Sequence, residues 1–271
     1  MNGNRHPFHQ QGGEPRMFLR KLVGNTLRRI GYQAVPTAFV SSLGLSNHLK
    51  KLFESQGVDT VWDVGANRGQ YYRFLRNSVG FKGSILSFEP LSELNGRLSE
   101  KSKQDPDWHV FPFALGEKNE QLAINVMQSN DMSSFLSPDS NHTDRFRDSN
   151  KPVKTEMVEV KCLNDIYEEI SKKYGARKSY LKMDTQGFDL NVIKGGAEVI
   201  SNYIALQTEA SVLPLYEGMP DYRETISYLN SIGFELSGVY PVTVDEKLRL
   251  IEFDCVMVNV NKVDPIQAEF R

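Results

Sequence analysis

From about residue 46 onward, short apolar runs alternate with amphipathic stretches of helical period, and this alternation constrains the fold more than any other feature. His48–Gly57 (HLKKLFESQG) has helical spacing and leads into Thr60–Val64 (TVWDV), a short apolar run that reads as a buried strand. Gly65–Gly69 make a turn, and Tyr71–Leu75 open a helix. Strand Ser84–Phe88, helix Leu91–Lys101 and strand Trp108–Phe113 follow. Strands separated by helices of this length build a parallel sheet with crossovers. The rhythm breaks in the middle, where Gln121–Met127 and Thr155–Cys162 predict extra strands and Leu163–Tyr174 a helix ending at Gly175. It resumes with strand Tyr180–Asp184, helix Leu190–Ile200, strand Tyr203–Glu209 and helix Tyr222–Ile232. The short link between the last strands, Phe234–Tyr240 and Phe253–Val260, predicts an antiparallel hairpin. The expected fold is α/β and Rossmann-like: a mostly parallel seven-stranded sheet with a C-terminal antiparallel hairpin and an inserted β segment.

The main domain is expected over 46–271, with residues 1–45 outside it. Residues 1–15 are polar and punctuated by Gly and Pro, as in a disordered tail. Between Arg16 and Ile30, Leu19, Leu22, Val23, Leu27 and Ile30 recur at helical spacing, with Arg16, Arg20, Lys21, Arg28 and Arg29 between them. This predicts a basic amphipathic helix. It either packs on the main domain or lies on an anionic membrane surface, where it could also grip a glycolipid. The polar segment 129–152, rich in Ser, Asn and Asp, is long for a compact domain and is a candidate lid.

A formal net charge of −2 excludes the strong basic excess of a general nucleic-acid binder. Two cysteines, Cys162 and Cys255, form no CxxC pair and fit a reducing compartment. No apolar run approaches the roughly 18 residues needed to span a bilayer, and the N-terminus lacks the apolar core of a signal peptide. The expectation is a cytoplasmic protein, with peripheral contact at the inner membrane face as the alternative to domain packing for residues 16–30. Its oligomeric state is not legible.

The chemistry concentrates at strand ends. Asp63-Val64-Gly65-Ala66-Asn67-Arg68-Gly69 runs from a strand through a tight turn into a helix, where open α/β sheets bind nucleotides. Gly65 is expected to let a ligand approach the backbone, and Gly69 to permit close helix–strand packing. Glu89 follows Gly69 by 20 positions at the end of the second strand, where a carboxylate can accept both ribose hydroxyls of an adenosine. NAD and S-adenosylmethionine both carry adenosine. Dinucleotide binders prefer G-x-G-x-x-G, whose bare amides meet a pyrophosphate. Here Asn67 stands in place of the second glycine, and an acidic Asp63 suits the ammonium and sulfonium of S-adenosylmethionine. The motif therefore predicts S-adenosylmethionine, with a structural turn or another nucleotide as the alternative.

Ala114-Leu115-Gly116 follow the third strand, whose end should sit beside the adenine; a plain turn is the competing view. Asp184 closes the fourth strand in Leu181-Lys182-Met183-Asp184-Thr185-Gln186-Gly187-Phe188-Asp189, next to the switch point where a reacting methyl should lie. A neutral hydroxyl is a poor nucleophile until a base takes its proton. Asp184 is placed for that, and Asp189 and Glu209 are alternatives. Each equally fits a structural acid, Asp184 by pairing with Lys182 or capping the next helix. Asp184 and Glu209 end neighbouring strands, but no compact ligand cluster predicts a metal. The five histidines, His109 and His142 among them, lack metal-ligand spacing.

Together these segments resemble the FkbM family of methyltransferases. The likeness rests on Asp63-Val64-Gly65-Ala66-Asn67-x-Gly69, Phe88-Glu89-Pro90, Ala114-Leu115-Gly116, Ser133-Ser134 and Leu181–Gly187, and then on Pro214–Gly218 and Gly233-Phe234. It covers roughly residues 55 to 260. It implies the class I methyltransferase version of the Rossmann-like fold and O-methylation of sugars and other hydroxyls in natural-product and surface-glycan pathways. It also implies that Asp63, Gly65, Asn67 and Glu89 hold the cofactor and that Asp184 lies near the transferred methyl; Gly69, Ala114 and Asp184 complete the expected cofactor contacts. Asp189 stands where the family more often has Glu. The amine-methylating signature [ND]-P-P-[YF] is absent, which favours oxygen. Tyr71, Tyr72 and Tyr216 are candidates to stack a sugar. The expected methyl acceptor is a hydroxyl of a glycan, glycolipid or small molecule, not a nucleic acid. An NAD(P)-dependent oxidoreductase and a non-catalytic partner with a methyltransferase fold are the competing functions.

Overall fold

The central strand β1 (Thr60–Val64) is buried on both faces, which is why it reads as an unbroken apolar run. Its neighbours are parallel: β2 (Ser84–Phe88) on one side and β7 (Ser179–Met183) on the other. The computed structural model describes residues 42–127, 133–137, 152–213 and 215–265. The expected basic helix at 16–30 and the candidate lid at 129–152, apart from 133–137 and 152, lie outside these residues.

Seven strands form the main sheet in the order β3-β2-β1-β7-β8-β10-β9. Here β3 is Trp108–Phe111, β8 Ala205–Ser211, β9 Phe234–Val244 and β10 Leu250–Asn259. β10 pairs antiparallel with both β8 and β9, so the expected final hairpin is present. The chain steps from β1 outward through β2 to β3, then crosses to β7 on the far side of β1. That reversal opens a crevice at the carboxyl ends of β1 and β7, where open α/β sheets hold ligands.

Alternate residues of the strands feed two cores. Trp62, Val64, Leu86, Phe88, Leu181 and Met183 face helices α4 (Leu163–Tyr174) and α6 (Tyr222–Ser231). Val61, Ile85, Tyr180 and Ala205 face α1 (Leu43–Gln56) and α2 (Gln70–Phe74), which continues as a π turn over Leu75–Val79. Trp62 is fully enclosed, stacked between Phe88 and Tyr167 with centroids 5.6 Å away on each side. Truncating such a residue to Ala costs about 3–5 kcal/mol.

A second sheet, β4-β6-β5, carries the inserted segment: β4 (Ala114–Gly116), β5 (Glu120–Met127) and β6 (Pro152–Cys162). Here the structure corrects the sequence. The third strand stops at Phe111 instead of running to Phe113, because the hydrogen bonds of Ala114–Gly116 go to β6 and not to β2. The second sheet packs on helix α3 (Ser92–Ser102) through Leu91, Leu94, Ile124, Val126 and Val158. Glu156 of β6 accepts from the backbone N–H (2.9 Å) and hydroxyl (2.6 Å) of Ser92, setting a carboxylate at the positive end of α3. The helix after β7, α5, covers only Asp189–Gly195, since paired glycines at 195 and 196 disfavour its continuation toward Ile200.

Candidate active site

Gly65 and Gly69 bracket the loop after β1. Gly65 adopts φ 78°, and a Cβ built there would stand 2.0 Å from the Asp184 carbonyl oxygen. The crossing of this loop over the end of β7 therefore requires glycine by itself, a different reason from the ligand approach expected from sequence. Gly69, at φ 77°, lies against Leu98 and Trp108, within 3.1–3.2 Å of a Cβ, which is the close helix–strand packing anticipated.

Glu89, just past β2, is 4% exposed. Its Oε2 accepts the Asn67 N–H (2.8 Å) and its Oε1 the Leu91 N–H (2.9 Å), so one carboxylate ties the β1 loop to the β2 loop. Asn67 sits at φ 49°, a left-handed conformation that Asn tolerates better than most residues. Burial pushes the Glu89 carboxyl up to about 7, against the pull of the two N–H bonds. Each oxygen keeps a second lone pair for a further donor.

Asp63 is fully enclosed. The β1–β7 register sets it beside Lys182, whose Nζ lies 3.3 Å from Asp63 Oδ1, and Ser87 donates to Oδ2 at 3.1 Å. Burial raises the Asp63 carboxyl, while Lys182 and Ser87 pull it back. Burial opposes the Lys182 charge, yet Asp184 and Asp63 hold the ammonium above its usual range. This corrects the expectation that Asp63 offers its charge to a cofactor: Lys182 answers that charge inside the protein.

Asp184 is the acid that faces outward, with 42% of its side chain exposed. Its backbone N–H bonds Val64 O at 3.1 Å, fixing it at the crevice. Lys182 Nζ reaches Oδ2 at 3.4 Å and Gln186 Nε2 reaches Oδ1 at 2.9 Å. The same Gln186 amide donates to Glu209 Oε2 at 3.1 Å. Burial, then the carboxylates of Asp184, Glu252, Asp254 and Asp189, push the Glu209 carboxyl well above its usual range. Glu252 is raised by burial and Asp184, and Asp254 is raised to about 6, mainly by burial.

Asp189 is committed to structure. It accepts from the Thr185 N–H (2.8 Å) and hydroxyl, the Thr208 hydroxyl (2.7 Å) and the Glu209 N–H (3.2 Å), pinning the exit of β7 to β8. Tyr71 and Tyr72 are likewise committed. Tyr71 is buried with its hydroxyl on Gln207 (2.8 Å), and Tyr72 stacks on Trp108 at 3.7 Å and bonds Asp105. Tyr216 is fully buried and donates to Gln186 Oε1 at 3.0 Å. Tyr71 and Tyr216 present no open ring to a sugar, and Tyr72 gives one face to Trp108. His109 packs against Tyr174 with centroids 4.1 Å apart.

The structure thus brings Asp63, Gly65, Asn67, Gly69, Glu89, Asp184 and Glu209 to one end of the sheet. Ala114 is buried in β4, three residues past the end of β3. Sequence reasoning gave no role to Gln186, Glu252 or Asp254. The two β10 acids had a legible signal: they alternate within an otherwise apolar final strand, LIEFDCV. Among the described residues, no group of three His, Cys, Asp or Glu side chains is arranged to hold a metal ion. The donor set around Asp184 and Glu209 is anionic, which fits a sulfonium cofactor and opposes a pyrophosphate.

The profile of the Methyltransferase FkbM domain matches residues 63–236. The 2-O-methyltransferase NoeI of Sinorhizobium fredii is 26% identical over 221 residues, covering 78% of this chain and 86% of its own length. A crystal structure of methyltransferase FkbM from Methylobacillus flagellatus is 17% identical with a TM-score of 0.48, over 73% of this chain. This chain spans 43% of that one. Aeropyrum pernix fibrillarin, solved with natively bound S-adenosyl-L-methionine, is 11% identical with a TM-score of 0.44, over 82% of this chain and 76% of its own.

Proposed function

Because the chain belongs to the FkbM methyltransferase family and is an S-adenosylmethionine-dependent enzyme, we propose that it methylates a hydroxyl of a sugar in a glycan, glycolipid or natural product. Family membership decides against the nicotinamide-dependent and non-catalytic alternatives. The observation that carries the hydroxyl reading is Asp184: a carboxylate at the crevice, 42% open, steered by Lys182 on one oxygen and Gln186 on the other. Methylation of an amine can release its proton to water, whereas a hydroxyl gains most from a positioned base. The relative named as a 2-O-methyltransferase supports oxygen as the target.

Bound S-adenosylmethionine supplies an electrophilic methyl on a cationic sulfur. Glu89 would receive the ribose hydroxyls on its remaining lone pairs, while Gly65–Gly69 hold the loop that covers them. Asp184 takes the hydroxyl proton as the oxygen attacks. Glu209, whose carboxyl is raised by burial and by its acidic neighbours, leaves Asp184 as the more open acceptor at the crevice.

Incubation with methyl-labelled S-adenosylmethionine and a panel of free, oligomeric and lipid-linked sugars tests this. The expected product carries the label as an O-methyl group on a sugar, read by mass spectrometry and NMR. Label found only on amines or carboxylates would refute the hydroxyl assignment.

A further inference from the structure

We infer that Gln186 is a positioning residue that fixes the Asp184 carboxylate and ties it to Tyr216 and to the segment 133–137. The inference rests on Asp184 as the proton acceptor proposed above. Gln186 bonds through both ends of its side-chain amide and through its backbone carbonyl. Its Nε2 donates to Asp184 Oδ1 (2.9 Å) and Glu209 Oε2 (3.1 Å), its Oε1 accepts from the Tyr216 hydroxyl (3.0 Å), and its backbone carbonyl accepts from Ser134 Oγ (2.7 Å). Those partners come from β8, from the stretch after it, and from a segment of the inserted β region.

An amide is the one side chain that satisfies this set. It supplies two donors for the two carboxyl groups and one acceptor for the tyrosine hydroxyl. Glu at this position would replace both donors with a third carboxylate. The backbone of Gln186 is left-handed, φ 53°, an uncommon conformation for a residue other than Gly, Asn or Asp. Such conformations persist where the surroundings over-determine them, and they cluster at functional sites.

Ser134 shows how firmly the other end is held. It is 1% exposed, and its backbone pairs with Asn125 of β5 at 2.9 and 3.2 Å. Its hydroxyl also accepts the Leu136 N–H at 3.0 Å, and Ser137 O accepts the Glu217 N–H at 2.8 Å. Segment 133–137 and the stretch around Tyr216 are thus bonded to each other and to Gln186. Displacement of either moves the amide, and the amide moves the carboxylate. Lys182 and Gln186 occupy two of the four lone-pair directions of Asp184, leaving the rest for the hydroxyl proton.

The test is kinetic, in the full chain. Gln186→Asn accepts the left-handed backbone and shortens the reach by one methylene, so the fold survives while the bridge does not. The expected result is a kcat about 10- to 100-fold lower, since misplacing a reacting group by ~1 Å can cost about that much. The calorimetric Kd for S-adenosylmethionine and the KM for the methyl acceptor stay within about twofold of the parent. Tyr216→Phe lowers kcat in the parent but not in the Gln186→Asn background, because its effect passes through the amide. Parental kcat in Gln186→Asn while Asp184→Asn is inactive overturns the inference and leaves the proton-acceptor reading intact. Losses that simply multiply in the double variant also overturn it. Turnover by Asp184→Asn would remove the proton acceptor first, and this role for Gln186 with it.

Discussion

Glu89 and Asp184 each follow a parallel strand with a carboxylate, yet Glu89 is 4% exposed whereas Asp184 leaves 42% of its side chain in solvent. On the β1–β2 side, the acids are held in place by the protein. Glu89 staples two loops by backbone N–H bonds, and Asp63 is enclosed against Lys182 and Ser87. On the β7–β8 side, Lys182 and Gln186 steer Asp184 without enclosing it, and burial raises the Glu209 carboxyl beside it. A surface that must hold one ligand in one pose benefits from rigid, satisfied groups. A surface that must receive a proton needs an open, charged one.

Lys182 joins the two halves, and removing it should have the largest effect on the fold. Lys182→Met leaves Asp63 buried without its counter-ion, and breaking such a pair from one side costs about 3–5 kcal/mol. Denaturant melting should show that loss. A change below about 1 kcal/mol would mean that Asp63 is neutral in the folded state and that the halves are not joined by charge.

Glu89→Gln should separate the halves next. It removes a charged acceptor from the cofactor side, where hydrogen bonds to charged groups contribute about 1.5–3 kcal/mol. Affinity for S-adenosylmethionine should fall roughly 10- to 100-fold by calorimetry, with the turnover of the saturated enzyme little changed. Loss of turnover at saturating cofactor, with affinity intact, would reverse the two assignments.

The smallest effect is a pH slope. Burial lifts the Glu89 carboxyl from 4.5 to about 7 in the folded protein. Between those values the folded state holds a proton that the unfolded chain has released, so stability falls as pH rises through that window and levels off above it. Asp254, raised from 3.8 to about 6, adds a fall over its own lower range. Thermal melts of the cofactor-free protein from pH 4.5 to 8 should show this, and Glu89→Gln should remove its share of the slope while Asp254 and Glu252, the latter also raised to about 7, keep theirs. An unchanged slope in that variant would place the titration elsewhere.

What the sequence made legible follows from local physics. β1 announces itself because both its faces are buried, and the helix Leu163–Tyr174 because its apolar residues keep one period up to Gly175. Cross-chain register is not local. Nothing near Asp63 reveals that Lys182, 119 positions later, becomes its partner in the adjacent strand. The same blindness made Tyr71 and Tyr72 look available for a sugar when Gln207 and Trp108 already engage them. The pairing of Ala114–Gly116 with β6 is likewise not local, since so short a run cannot say which sheet it joins. Gln186 carries no local signal, because its left-handed backbone and four partners exist only once distant segments meet.

The division between a closed binding half and an open reacting half is tested most directly on Asp184→Asn, by measuring cofactor affinity and single-turnover methyl transfer on the same preparation. The account predicts an unchanged Kd for S-adenosylmethionine and a transfer rate about 10²- to 10⁴-fold lower, the usual worth of a positioned base. Transfer at the parental rate, or affinity lost in step with transfer, would contradict it.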